Sequence, residues 1–248
     1  MTEISPAGDG SGWPDRRLDR QCQNGHVANP GPGRPRLEQR PRRGHTPRAE
    51  ILDAAGELFT TKGYANTSTR AVADAVGIRQ ASLYHHFAAK DDILDALLTE
   101  TIATPLELAE RLRAEADPAP TRLYALAWYD VRQLCAARWN LGALYLLPEL
   151  RTKRFAAFRL RRDELRGHYE TLAEAVIEGA GAAGIPGAEV LPFRLVETVI
   201  NIRSDEGSAP AYAEQTIPDA ALRMLGWTGD LEEARADAAV LLERLAGY

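Results

Sequence analysis

Apolar residues recur every three or four positions along most of this chain, which is the spacing of amphipathic helices. The first run begins after Thr46-Pro47, where a hydroxyl can cap a helix and proline suits its first turn. It ends at Lys62-Gly63, because glycine readily adopts the left-handed conformation that closes a helix. No segment alternates apolar and polar residues as a half-buried strand does. The pattern therefore predicts an all-α protein.

The next three predicted helices follow closely. One extends from Thr67, a second capping residue, to Val76, and Gly77 then makes a tight turn. A short helix covers about residues 79–86, and a fourth begins near Ala89. Two short helices joined through a glycine turn are the pattern of a helix-turn-helix.

The remainder also has a helical pattern, with boundaries predicted from proline and glycine. Thr104-Pro105 and Pro218 look like helix starts, whereas Pro148 and Gly184 mark ends. The predicted helices cover about residues 105–117, 118–139, 141–147, 152–183, 189–203, 218–225 and 231–245, with a polar loop over 204–216. We expect two helical bundles, residues 46–92 and residues 93–248.

Residues 1–45 lack this periodicity and contain six prolines and seven glycines. Such a segment buries too little apolar surface to offset its ordering entropy, so we expect a disordered, basic arm. Within it, residues 32–36 resemble the core of an AT-hook, in which Arg34 and Arg36 would enter the narrow minor groove. The alternative is a tail that attracts DNA through charge alone.

Charge and cysteine content narrow the class of protein. Residues 1–46 carry eight basic and five acidic side chains, whereas residues 93–248 carry 17 and 24, within a net charge of −5. A basic arm on an acidic body indicates nucleic-acid contact at one end. Two cysteines, Cys22 and Cys135, exclude a disulfide scaffold and a cysteine-rich zinc module. With no secretory signal and no apolar run of membrane-spanning length, we expect a cytoplasmic protein without a membrane partner.

The stretch from Thr67 to Leu94 resembles the DNA-binding domain of the TetR family of transcriptional regulators. The resemblance rests on spaced polar and apolar residues, namely Thr67, Arg70, Val72, Ala73, Gly77-Ile78, Leu83-Tyr84-His85-His86-Phe87, Lys90 and Ile93-Leu94. Two positions depart from the family: Ala81, where glycine or proline is frequent, and Ala71, where an acidic residue is common. The resemblance implies a three-helix helix-turn-helix domain, residues 46–92, and a larger helical domain for effector binding and dimerisation, residues 93–248.

The resemblance also implies a role for each exposed residue of the motif. Thr67, Tyr84 and Lys90 would contact phosphates, and Arg70 would join the DNA-binding surface. Arg79, Gln80, Ser82 and His85 would meet base edges. Phe87 would belong to the core, and His86 would either pack or touch a phosphate. The expected partner is double-stranded DNA with a pseudo-palindromic operator, because a two-fold dimer requires two related half-sites.

The larger domain offers fewer diagnostic residues. An effector pocket is expected between about residues 119 and 169, where the aromatic residues are Trp128, Tyr129, Trp139, Tyr145, Phe155, Phe158 and Tyr169. The alternative is an aromatic core cluster. The candidates for the dimer interface, some of which must instead pack within the subunit, are Phe193, Val196, Val199, Ile200, Leu222, Leu225, Leu241 and Leu242.

Three functions remain open from the sequence. The first is a dimeric repressor that a small-molecule effector of unknown identity releases from its operator. The second is a constitutive DNA-binding dimer, and the third is an enzyme on a helical scaffold. We expect no enzymatic activity, cofactor or metal, since metalloprotease, nucleophile-elbow, P-loop and dinucleotide patterns are absent from the sequence. Cys135 is either a redox sensor or a small buried hydrophobe.

Overall fold

The computed structural model describes residues 46–181 and 185–246, and within them every regular element is helical, as predicted. The α-helices are α1 (Pro47–Thr61), α2 (Thr69–Val76), α3 (Gln80–Tyr84), α4 (Lys90–Arg113), α5 (Ala119–Ala136), α6 (Ala156–Ala180), α7 (Leu191–Glu206), α8 (Ala213–Met224) and α9 (Leu231–Ala246). Short 3-10 turns cover Leu141–Leu146, Pro148–Arg151, Lys153–Phe155 and Ala188–Val190. The predicted basic arm, with Arg34, Arg36 and Cys22, lies outside the described residues.

The helices α1 to α3 and the first turns of α4 form the part we call the head. The Thr46 hydroxyl accepts a hydrogen bond from the Ala49 N–H at 3.2 Å, so α1 begins as predicted. Gly77 closes α2 with a φ of 77°, a left-handed conformation that costs glycine little. Leu83 and Phe87 are buried in the same core as α1, which holds the short α3 in place.

The second helix begins later than the sequence predicted, because Ser68, not Thr67, is its cap. The Ser68 hydroxyl accepts from the Ala71 N–H at 3.1 Å. Thr67 is only 2% exposed, and its hydroxyl lies 2.9 Å from the Gly63 carbonyl oxygen, to which it donates. Thr67 therefore closes the loop between α1 and α2.

Two prolines that were predicted to start helices lie inside them. Pro105 is within α4 and Pro218 is within α8, so the helix starts predicted at these prolines are wrong. The loop predicted over 204–216 is present but shorter, since α7 ends at Glu206 and α8 begins at Ala213. Both prolines are buried. Continuing each helix loses a backbone hydrogen bond, which the apolar packing of the surrounding turns offsets. Conversely, the predicted helix over 152–183 begins in 3-10 turns and becomes α-helical only at Ala156.

The remaining helices form the part we call the body, with α5 at its centre. This helix contacts α4, α6, α7, α8 and α9. Its inner face is built from small and large apolar residues that include Leu123, Tyr124, Leu126 and Val131. Since α4 contacts both α1 and α6, one continuous helix joins the head to the body. In the described ranges no helix is both long and apolar enough to cross a membrane.

Candidate nucleic-acid interface

One face of α3 and its flanks is exposed and, apart from Ala81, polar. Leu83 is buried on the inner side, whereas the outer side exposes Arg79, Gln80, Ser82, Tyr84 and His85. All these predicted base- or phosphate-contacting residues thus share one accessible surface. Their side chains carry hydrogen-bond donors and acceptors that suit base edges and phosphates.

Three of the surface side chains contact each other across the helix-turn-helix. Gln80 Nε2 donates to Thr69 Oγ1 at 3.0 Å and to Tyr84 Oη at 3.3 Å, and the two hydroxyls are 3.1 Å apart. We call this set the Gln80 triangle. Thr69 was missed in the sequence, although a second hydroxyl directly after the cap of α2 was a usable signal.

A surface groove of about 520 Å³ lies beside the triangle. The N-termini of α2 and α4 both border it, and its lining residues are Ala65, Asn66, Thr67, Ser68, Thr69, Tyr84, Ala88, Ala89 and Lys90. Helix N-termini present free N–H groups and partial positive charge, which favour an anion such as a phosphate. The two acidic residues in the first turn of α4 are already engaged, since Asp91 accepts from Tyr64 Oη and Asp92 Oδ2 accepts from the Ala89 N–H at 2.9 Å.

Lys90 is held at the edge of this groove. Its Nζ donates to the Tyr64 carbonyl oxygen at 2.9 Å and lies 4.1 Å from the centre of the Tyr64 ring. An ammonium group has three N–H bonds, so this contact leaves others for a phosphate. The position of the side chain is thus set by contacts within the protein.

The other head residues fall into two groups. Arg70 is exposed and pairs with Asp74 at 4.0 Å, and His86 is exposed beside His85. Thr67 lines the groove, but its buried hydroxyl donates to carbonyl oxygens inside the protein. The sequence-based assignment of a phosphate contact to the Thr67 side chain is therefore corrected, and the exposed hydroxyls next to it are those of Ser68 and Thr69.

Trp139, which was predicted to line the pocket, instead contacts the head. Its Nε1 donates to Asp53 Oδ1 on α1 at 3.0 Å. Arg138 Nη1 donates to the two oxygens of the same carboxylate at 2.9 and 3.0 Å. We call these three residues the clasp. On its other side, Asn140 Nδ2 donates to the Ile200 carbonyl oxygen of α7 at 2.9 Å, so this short stretch touches both head and body.

Three of the other six predicted pocket residues, Tyr145, Phe158 and Tyr169, belong to one buried polar and aromatic network. Tyr169 Oη donates to Asp130 Oδ2 at 3.2 Å, and Tyr145 Oη lies 2.6 Å from Thr101 Oγ1. Tyr145 packs on Phe158, with ring centroids 5.7 Å apart. Burial raises the pKa of Asp130 to about 7 and raises that of Tyr169 as well. Phe155 is fully buried, and Trp128 and Tyr129 are half-buried against the core.

Arg162 crosses the network between two aromatic rings. Its guanidinium carbon lies 5.2 Å from the Tyr145 ring centre and 5.3 Å from that of Phe193, and it pairs with Glu197. Its Nε is buried and has no hydrogen-bond partner among the described residues. A guanidinium N–H in this position is available to a ligand that brings an acceptor.

The residues proposed for the dimer interface pack largely inside the protomer. Phe193, Val196, Val199, Ile200, Leu222, Leu225 and Leu241 are buried in its core, and Leu242 is half-buried against it. In this structure they leave little surface for a second copy. Sequence periodicity could not separate the two roles, because both demand apolar residues at helical spacing.

Neither a metal centre nor a reactive thiol emerges from the described residues. They contain no group of three or more His, Cys, Asp or Glu side chains arranged to hold a metal ion. Burial raises the pKa of the Cys135 thiol, which lowers its thiolate fraction and hence its reactivity.

A three-helix head with an exposed polar recognition helix, joined to a larger helical body, is the architecture of a helix-turn-helix transcription factor. The family model of bacterial regulatory proteins of the tetR family matches residues 51–97. The crystal structure of Mycobacterium smegmatis AmtR is 61% identical, with a TM-score of 0.79, over 83% of this chain and 98% of that chain. The chain belongs to the TetR family of transcriptional regulators.

More distant relatives agree over shorter stretches. The HTH-type transcriptional repressor KstR2 of Rhodococcus jostii is 47% identical over 51 residues, and the match spans only a quarter (25%) of that repressor. A fatty acid metabolism regulator protein of Bacillus subtilis is 29% identical over 63% of this chain and 79% of its own length. The first of these relatives is named a transcriptional repressor and the second a regulator of fatty acid metabolism. A solved KstR2 structure from Mycobacterium tuberculosis, 22% identical with a TM-score of 0.56, shares the fold.

Proposed function

We propose that this TetR-family protein is a dimeric repressor that a small-molecule effector releases from a pseudo-palindromic operator. The observation that carries the DNA-binding part is the exposed polar face of α3 beside a groove bordered by two helix N-termini. A base-reading surface next to an anion-binding groove is what recognition of duplex DNA requires. Residues 34–36 of the arm would add contacts to phosphates or to the minor groove.

Base-contacting and phosphate-contacting residues are separable by experiment. Arg79→Ala should weaken binding at particular base pairs, by about 1–3 kcal/mol for a lost bidentate contact. Lys90→Ala should weaken binding evenly across sequences and flatten the salt dependence. Binding of both variants to the protein's own upstream region, measured at several salt concentrations, tests this. A changed base preference in Lys90→Ala with an intact salt slope would reverse the two roles.

Dimerisation follows from the small size of the reading surface. The recognition helix α3 has only five residues, so a single head offers few base contacts. In our proposal the exposed apolar residues of the body form the dimer contact. They include Leu146, Leu160 and Val240, which are 87%, 69% and 61% exposed. Sedimentation at micromolar concentration should give a dimer, and a stable monomer would refute this part.

The network around Arg162 supports effector binding. It combines buried aromatic rings, which suit an apolar ligand, with the unpartnered Nε of Arg162 and the buried Asp130. We therefore propose a small, mostly apolar effector that carries at least one hydrogen-bond acceptor for Arg162. A thermal-shift screen of such compounds against the protein and against Arg162→Leu should find ligands that stabilise only the former.

The clasp offers a route from the effector to the head. The 3-10 turn over Leu141–Leu146 carries Tyr145 of the network and begins two residues after Trp139, which is next to Arg138 in the clasp. Asp53→Asn weakens the charged part of the clasp, whereas Glu100→Gln, the matched control, removes a carboxylate that pairs with Arg48 at 3.7 Å. Effector affinity is measured with and without saturating operator, and the difference is the coupling between the two sites, typically about 1–3 kcal/mol. We expect Asp53→Asn to reduce this coupling and Glu100→Gln to leave it unchanged.

A constitutive DNA-binding dimer is the second candidate. It is favoured by the close packing of the predicted pocket residues, such as Tyr169 on Phe193 with ring centroids 5.4 Å apart. If every compound that binds the body has the same affinity with and without operator, the effector part of the proposal fails and this candidate replaces it.

A further inference from the structure

The Gln80 triangle joins a base-reading residue to two hydroxyl groups beside the phosphate groove. Its three contacts are 3.0, 3.3 and 3.1 Å long, so it is nearly equilateral. Thr69 and Tyr84 both line the groove, and Gln80 is the first residue of α3. The orientation of the Gln80 amide is thus determined by side chains on two different helices.

The shape of the triangle limits how the amide is used. Seen from Nε2, the two hydroxyl oxygens stand about 60° apart, whereas the two N–H bonds of an amide diverge by about 120°. One N–H bond directed between the hydroxyls is therefore shared by both. The second N–H and the carbonyl oxygen of Gln80 remain for another partner.

Resting on the proposed operator binding, we infer that Gln80 recognises an adenine in each half-site. Adenine presents an acceptor, N7, beside a donor, the N6 amino group, and these match the free N–H and carbonyl oxygen of an amide. Guanine presents two acceptors, which would repel the carbonyl oxygen. Cytosine presents only a donor and thymine only an acceptor at this edge, so each can pair with only one of the two free groups of the amide.

Thr69 and Tyr84 are accordingly positioning residues for base recognition as well as phosphate contacts. The triangle uses one amide hydrogen and one hydroxyl hydrogen, because the contact between the two hydroxyls needs one donor. The other hydroxyl hydrogen is free to donate to a phosphate oxygen in the adjoining groove. Phosphate binding and adenine selection are then performed by the same three side chains.

The test is selection of duplexes from a pool with randomised half-sites, by the full chain and by single variants. The unmodified protein should select an adenine at one position of each half-site, by roughly 5- to 150-fold over other bases. Gln80→Glu has the same shape but only acceptors, so it should shift that position towards cytosine. Thr69→Val and Tyr84→Phe should broaden the preference at the same position, and Thr69→Ser should restore it.

A matched control variant and an altered base distinguish the loss of Gln80 positioning from a general loss of DNA affinity. Arg70→Ala removes an exposed cation of α2 outside the triangle, so it should lower affinity without broadening that position. Replacing the selected adenine by 7-deazaadenine removes the N7 acceptor, which should weaken the unmodified protein and leave Gln80→Ala unaffected. All of the substituted side chains are exposed or half-exposed, so the fold should survive, as melting curves will report.

The outcomes distinguish this inference from the proposal on which it rests. If the unmodified protein selects no duplex, the proposed operator binding fails and the inference with it. If it selects a duplex but Gln80→Glu changes no position, or the affected base is guanine, the inference alone is overturned. The inference would also be overturned if Arg70→Ala broadened the base preference at that position as much as Thr69→Val does.

Discussion

Replacing Asp130 by asparagine should remove a contribution that lowers the stability of the protein as the pH rises. Burial is the main reason that the pKa of Asp130 is raised from 3.8 to about 7, and the nearby Glu197 carboxylate raises it further. The hydrogen bond from Tyr169 favours the charged form and lowers the pKa, but it does not outweigh burial. The folded protein therefore keeps the Asp130 proton to a higher pH than the unfolded chain does.

The sign and size of the effect follow from this difference. As the pH rises from about 4 to about 7, the unfolded chain loses its proton first and is stabilised relative to the folded state. One pKa unit corresponds to about 1.4 kcal/mol. Above pH 7 the free energy of unfolding is therefore lower than at acid pH by an amount on the order of 4 kcal/mol, owing to Asp130. About 2 kcal/mol of this decrease occurs between about pH 5 and pH 7. Above the pKa of Asp130 in the folded protein, the decrease stays constant.

Urea unfolding at several pH values measures this directly. The stability difference between Asp130→Asn and the parent should grow by about 2 kcal/mol over that window and then level off. Tyr169→Phe removes the hydrogen bond that lowers the Asp130 pKa, so its stability should continue to fall to a higher pH. Asp205→Asn, which changes an exposed carboxylate, serves as the control. Parallel pH dependences for Asp130→Asn and the parent would refute the reasoning.

Three substitutions test the packing. Gly142→Ala should destabilise the protein by about 1–3 kcal/mol, because the added Cβ would lie 2.6 Å from Ile200 Cγ1. Gly167→Ala should stabilise it by about 0.5–1 kcal/mol, because Gly167 is in the interior of α6 and its added Cβ would meet nothing within 4 Å. Equal melting temperatures for these two variants would contradict the packing seen around Gly142. Phe87→Ala should cost about 3–5 kcal/mol and unfold the head before the body, since Phe87 is buried in the core that holds α3; hydrogen exchange that shows equal protection of both parts would argue against this.

Local sequence signals determined the helices of the head and the class of protein. The cap at Thr46, the turn at Gly77 and the apolar spacing of α1 act within a few residues, so they are legible without tertiary structure. The exposed residues of α3 were likewise predictable, because a short helix with one buried leucine must expose its other positions. The family resemblance of residues 67–94 drew on the same local pattern.

Tertiary structure decided what depends on contacts between distant residues. Pro105 and Pro218 continue helices because packing outweighs the lost hydrogen bonds, and Trp139 reaches Asp53 across 86 positions of the chain. The Gln80 triangle and the burial of Thr67 also arise from the meeting of separate elements. Apolar periodicity indicates that a side chain is buried, but it does not show whether its own chain or a second copy covers it. Only the folded structure shows that the apolar residues of α7 to α9 pack within the protomer.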